Sequence, residues 1–311
     1  MDQPFDHFGE AMAILAAFIF AWTSVLFTNA GHRLGVTTVN LLRLPGAAVC
    51  LAVVHLVLTG RPWPVGLDGV DHFWIGLSGV VGLAAGDSAL FKAFSTIGPR
   101  RSMTMMALAP VFTTVIAWVV LGEHLNLWAI LGIATVIAGI ITTTRGRDGT
   151  GGRFGNIAPA TLRSGLLLAV AASAGQGLGS VFAKMGMTGA VSAGGGVDPL
   201  GATLVRVVWA AVFYWLALLP RLRITERARR LQDRRGLAYL AAAVLLGPVI
   251  SVWISQVAIR HTEAGVAQVF LGMVPIFVIA PAWLVYRDRP GILSLFGVVL
   301  AVGGGALLFL R

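Results

Sequence analysis

Moved along itself by 165 residues, this sequence meets itself again. The stretch "PVFTTVIAWVVLGE" (110–123) falls over "PIFVIAPAWLVYRD" (275–288) without a gap. Pro110 meets Pro275, Phe112 meets Phe277, and Ala117-Trp118 meets Ala282-Trp283. On the same shift Glu123 meets Asp288, Gly82 meets Gly247, Gly132 meets Gly297 and Gly139 meets Gly304. At slightly smaller offsets Ser24 falls over Ser180 and Arg43 over Arg206. Whatever fold the chain adopts must therefore be built twice.

The repeated material is apolar. Of 311 residues, 57% are hydrophobic and 12% charged, and mean hydropathy is +0.85. A water-soluble domain has no way to cover that much apolar surface. Several runs exceed about 18 residues with few or no charges, long enough to cross a hydrocarbon core. They lack the alternation of a membrane β-barrel. The fold class expected is an all-α polytopic membrane protein. Its ten spans are 10–30, 37–59, 73–96, 102–121, 126–144, 164–186, 199–219, 236–259, 264–286 and 291–310. Residues 1–144 form the first five-helix repeat, 145–163 a Gly- and Arg-rich linker, and 164–311 the second repeat. An odd number of helices per repeat sends the second half into the membrane from the opposite side, the inverted arrangement that transporters use around a midplane site.

Net charge is +10, yet the basic residues sit in the gaps between apolar runs, which points to lipid headgroups and topology rather than nucleic acid. Gaps after the odd-numbered spans carry Arg33, Arg100, Arg101, Arg145, Arg147, Arg153, Arg163, seven arginines between Arg221 and Arg235, Arg287 and Arg289. The opposite side has Arg61, Arg260 and Arg311. The positive-inside rule then places the first set in the cytoplasm and both termini outside. The acidic start "MDQPFDHFGE" is unlike a cleavable signal. A single cysteine, Cys50, excludes an internal disulfide or a cysteine cluster.

Ionisable residues inside spans are the natural site candidates. Asp87 lies roughly 15 Å from the end of its helix near Ile97, close to the midplane. A lone charge there costs about 3 kcal/mol on insertion scales, so it needs a partner, water or a proton. Arg43 lies at similar depth. The pair is either a fixed helix-helix salt bridge or a proton or substrate site. Lys92 falls on another face, placed to snorkel to the cytoplasmic interface or to meet an anionic substrate group. Arg206 has Val252 where an acid equivalent to Asp87 would stand. It either binds a headgroup or carbonyl, or awaits a carboxylate or phosphate ligand. Lys184 closes its helix and snorkels.

Ser24, Asn40, Ser88, Met103, Thr104, Gln176, Ser180, Trp209, Gln256 and Gln268 lie within spans, and some of them line a cavity. Trp22 and Trp253 lie deeper than interface anchors and are pocket candidates. Pro110, Glu123, Gly132, Pro275, Asp288 and Gly297 read as structural, with Glu123 and Asp288 as helix caps. Gly82–Gly86 and Gly175–Gly179 have the spacing of close helix packing. No HExxH, GxSxG or Walker A pattern and no His/Cys cluster is present, so neither an enzyme, a metal, a cofactor nor ATP-driven pumping is expected.

"LAPVFTTVIAWVVLGEHLNLWAILGIATVIAGI", with its mates Pro275, Asp288, Gly297 and Gly304, resembles the EamA-type ten-helix members of the drug/metabolite transporter superfamily over nearly the whole chain. The resemblance implies a basket of ten helices in the cytoplasmic (inner) membrane, as a monomer or homodimer. Its central cavity would lie between the repeats, formed by helices 1, 3, 4, 6, 8 and 9. It implies a secondary transporter exporting amino acids or related small metabolites, with proton coupling in many members. A lipid or lipid-linked metabolite flippase, or a multidrug exporter, is the alternative. Many members are described with both termini in the cytoplasm, whereas the arginine count here gives the reverse.

Overall fold

The computed structural model of the protein describes residues 7–121, 127–145, 157–187, 197–218, 231–261, 270–287 and 291–307. These residues are helical with short connections. Ten spans are present among them: α1 (Phe8–Leu34), α2 (Val36–Thr59), α3 (Gly69–Ile97), α4 (99–121, interrupted at 107–108), α5 (Leu127–Arg145), α6 (Pro159–Met187), α7 (Pro199–Leu218), α8 (234–261), α9 (Val274–Tyr286) and α10 (Ile292–Leu307). Six are long and apolar enough to cross a membrane unaided: α1, α2, α3, α6, α7 and α8. Glu123, Asp288 and Gln268 lie outside the described residues.

The ends are set by ordinary chain chemistry. Asp68 caps α3 by accepting from the Asp71 N–H. Asp233 caps α8 by accepting from the Arg235 and Gly236 N–H groups, and Asp198 does the same for the Leu200 and Gly201 N–H groups at the start of α7. Asp68 and Asp233 are themselves repeat mates, which extends the 165-residue correspondence to the helix starts. Gly98, at φ 86°, turns the chain from α3 into α4, where Pro99 occupies the first turn.

The pairing of helices proves the inversion. At one end of the bundle, Ile97 at the close of α3 packs on Gly165 near the start of α6. At the other, Gly186 near the close of α6 meets Asp71 and Ile75 at the start of α3. The two helices are thus antiparallel. So are α1 and α8, because Leu34 and Arg33 at the end of α1 touch Gly236 at the start of α8. Each of α1 and α3 therefore runs opposite to the mate of the other, α8 and α6, and the halves run opposite ways.

The seam between α5 and α10 shows the same symmetry at atomic scale. A Cβ on Gly139 would come 2.6 Å from the carbonyl oxygen of Gly297, and one on Gly304 would come 2.9 Å from the carbonyl oxygen of Gly132. Residues 132 and 139 of one helix thus meet the mates of 139 and 132 on the other. This crossed contact is what a two-fold axis perpendicular to two equivalent helices produces. The glycines allow backbone-to-backbone approach where lipid supplies no hydrophobic drive. The GxxxG pairs behave alike: Gly82 and Gly86 of α3 lie against Gly179 and Gly175 of α6, with Cβ-to-Cα approaches of 3.1 Å in both cases.

The outward faces are apolar, as lipid requires: Val57 is 76% and Ile292 88% exposed. Hydroxyl and ring N–H groups clasp neighbouring helices. Ser173 donates to the Met105 carbonyl, Ser251 to that of Ala16, the Trp215 indole to that of Leu41, and the Tyr286 hydroxyl to Asn29 Oδ1.

Candidate functional site

Midway along α3 the run "GVVGLAAG" widens into a π-helix, Gly79–Gly86. Midway along α8 the mate segment "LLGPVIS" does so too, Leu245–Ser251. In each, the residue that follows donates its N–H five residues back: Asp87 to the Gly82 carbonyl, Val252 to the Gly247 carbonyl. These are equivalent atoms on the 165-residue shift. Pro248 lacks an N–H and so disfavours α-helical bonding in the second segment. In the first, glycines open the backbone to close neighbours. A Cβ on Gly79 would sit 2.0 Å from the Arg206 carbonyl oxygen, so α7 lies directly on the widened turn. Inserted turns of this kind recur at functional sites.

Asp87 emerges from the first π-segment 8% exposed. Arg43 of α2, 2% exposed, answers it: Nη1 donates to Asp87 Oδ2 at 2.8 Å, and Nη2 donates to the Leu83 carbonyl at 2.7 Å. That carbonyl lies four residues before Asp87, whose own N–H has gone to Gly82. The guanidinium also faces the Phe91 ring, 4.6 Å from its centroid, and Phe27 stacks on Phe91 at 4.4 Å. Arg43 is thus held by an acid, a carbonyl and an aromatic face. Removing one member of such a pair leaves a buried charge uncompensated, at about 3–5 kcal/mol.

Arg206 of α7 is 5% exposed and has no such company. Its Nε, like that of Arg43, finds no hydrogen-bond partner, and, unlike Arg43, it belongs to no ion pair among the described residues. Its Nη2 reaches to 3.7 Å from the Cβ position of Gly82, beside Gln176 Oε1 at 3.2 Å from the same point. Asp87 lies within electrostatic reach but beyond ion-pair contact.

These groups line one cavity of about 180 Å³ between the halves. Its wall follows the repeat. The pairs Leu83 and Pro248, Asp87 and Val252, Leu90 and Ser255, Phe91 and Gln256, and Pro110 and Pro275 all contribute, as do Arg43 with Arg206 and Ser24 with Ser180. The first half supplies the aromatic side chains and methionines of the wall (Phe27, Phe94, Met103, Met106), and the second its two amides, Gln176 and Gln256, with Ser180 and Ser255, among apolar residues.

Of the residues singled out from the sequence, Asp87, Arg43, Arg206, Ser24, Met103, Gln176, Ser180 and Gln256 lie on that wall. Pro110 and Pro275, read as structural, lie on it too. Lys92, Ser88, Trp22 and Trp253 do not. Lys92 is exposed on another face of α3, and Trp22 is 37% exposed on the outside of α1. Ser88 donates to the Ala84 carbonyl and accepts from Asn40 Nδ2, bracing α2 against α3. Trp253 packs half-buried against the main apolar core. The sequence reading missed Phe91, Phe27 and Thr23. Phe91 was reachable, because the repeat shift carries it onto Gln256. Among the described residues no cluster of His, Cys, Asp or Glu could hold a metal ion.

A five-helix unit, duplicated upside down into a ten-helix bundle around a charged hollow, defines a multi-pass membrane transporter built on inverted repeats. The chain belongs to the EamA-like transporter family, whose model matches residues 7–145 and 163–310, one match for each repeat. No curated protein matches the sequence. Among solved structures, one described only as the crystal structure of a protein superposes with a TM-score of 0.61 over 96% of both chains at 15% identity. That likeness is one of fold.

Proposed function

We propose that the protein is a secondary exporter of amino acids or related small metabolites, working by alternating access in the cytoplasmic (inner) membrane. The carrying observation is Arg206, a buried cation without a partner on the wall of a hollow to which both repeats contribute equivalent positions. Arg206 takes the anionic group of the substrate. Asp87 is the coupling residue, faced by Arg43 from α2 and Arg206 from α7. It releases Arg43, or takes a proton, as the halves exchange conformations. The arginine count favours both termini outside.

Counterflow of radiolabelled amino acids in proteoliposomes tests this. Substrate should exchange through the wild type, and Asp87→Asn should lose the pH dependence of flux while remaining folded. Flux with an unchanged pH profile in Asp87→Asn would reduce Asp87 to a structural ion pair.

A further inference from the structure

Arg43 and Arg206 are repeat mates, and the difference in their surroundings is systematic. Each side chain that holds Arg43 has been replaced at the mate position in the second half. Asp87 becomes Val252, Phe91 becomes Gln256, and Phe27, on the offset that aligns Ser24 with Ser180, becomes Ala183. Arg206 is Arg43 with its acid and both rings removed. A buried guanidinium kept in this condition is costly unless something arrives to neutralise it.

The charge of the hollow follows. Among its described wall residues only Arg43, Asp87 and Arg206 are charged. Asp87 is spent on Arg43 at 2.8 Å, so one positive charge is left over, and it sits on Arg206. Gln256 Oε1, buried and without a hydrogen-bond partner, is an acceptor for a donor group on the ligand but brings no charge. The opposite wall, with Phe94, Met103 and Met106, is suited to an apolar body. In a low-dielectric enclosure the favoured occupant restores neutrality.

We infer that the hollow selects by net charge: it takes organic anions carrying one net negative charge and an apolar body, in preference to zwitterions or cations of the same shape. The inference rests on the substrate-site reading above and narrows it, moving the favoured ligand from the free amino acid toward a carboxylate that lacks the ammonium group.

One carbon skeleton supplies the probes. α-Ketoisocaproate, leucine and leucinamide differ in net charge, from singly negative through neutral to positive, and isobutylmalonate is doubly negative. Binding to the purified full chain is read by the thermal shift and by competition in proteoliposomes. The wild type should bind α-ketoisocaproate roughly ten- to a hundredfold more tightly than leucine, the range expected for one charged hydrogen bond. Arg206→Gln removes the spare charge without breaking an ion pair, and should level or reverse that order in favour of leucine. Arg206→Lys keeps the charge and should keep the order. Asp87→Asn adds a charge and should move the preference to isobutylmalonate. Should that variant fail to fold, the two Arg206 variants carry the test. Equal binding of leucine and α-ketoisocaproate by the wild type, or an unchanged order in Arg206→Gln, overturns the charge rule and leaves the transporter reading standing. Binding of none of the four probes by the wild type overturns the inference and also the reading of this hollow as the substrate site.

Discussion

The two halves of this protein make the same backbone and put opposite chemistry on it. Both carry a π-segment in the third helix of the repeat, both offer an arginine from the second helix, and both place a proline at the cavity from the fourth. In the first half the arginine is locked, by Asp87, by the Leu83 carbonyl and by Phe91. In the second it is left open. Inverted-repeat scaffolds are the arrangement carriers use to build two related conformations; here asymmetry of the side chains leaves one arginine ion-paired and its mate without an ion pair. Duplication alone would have produced either two closed ion pairs and no binding group, or two bare cations in one low-dielectric hollow.

The largest effect should come from breaking the closed side. Asp87→Ala strands Arg43 in the interior and should destabilise the protein by about 3–5 kcal/mol, read by denaturant unfolding in detergent. Between the mates themselves, Arg43→Ala breaks that ion pair while Arg206→Ala breaks none and should cost far less stability; equal losses from the two would mean that the two arginines are held alike.

Closing the open side comes next. Val252→Asp gives Arg206 the acid its mate has. Folding should survive, and binding of an anionic probe should fall roughly ten- to a hundredfold, as one charged hydrogen bond is lost to an internal competitor. Unimpaired anion binding would show that the ligand does not use Arg206.

The scaffold itself should respond symmetrically. Gly139→Ala and Gly304→Ala push a methyl into the mate helix and should each cost about 1–3 kcal/mol, similar to one another. Gly303→Ala, with nothing within 4 Å of its Cβ position, should change stability by less than about 0.5 kcal/mol. Thermal unfolding of the three variants compares them directly; a tolerated Gly139→Ala beside a damaging Gly304→Ala would break the two-fold seam.

The smallest effect concerns the helix starts. The Arg33 guanidinium at 2.9 Å, together with the Gly236 N–H, holds the Asp233 carboxyl below the usual carboxylate range. Its contribution is therefore complete at neutral pH and is lost as pH falls through that lowered value, below about pH 4. Asp233→Asn should flatten the acid limb of the melting curve slightly. Its mate Asp68 takes part in no ion pair among the described residues.

Much of this molecule is already written in the chain. Span lengths, the duplication and its inversion follow from hydropathy, from the correspondence of Pro110 with Pro275 and Gly139 with Gly304, and from the odd helix count. These are local or periodic properties, and lipid enforces them strongly because every backbone polar group must be satisfied within a helix. Val252 standing where Asp87 has its mate is equally legible, and it marks Arg206 as the unmatched cation.

Only the tertiary structure decided which polar residues share the hollow. Trp22 and Trp253 sit at the depth of the cavity but on other faces of their helices, and Ser88 is one residue beyond Asp87 yet serves the α2–α3 contact. For Ser88 and Trp253 a π-turn is the physical reason: one extra residue in the turn rotates everything that follows, so periodicity counted at 3.6 residues loses the face after Gly79–Gly86 and again after Leu245–Ser251. Depth can be counted along a chain, but direction depends on where the helix widens, and that is set by the neighbour packed against its glycines.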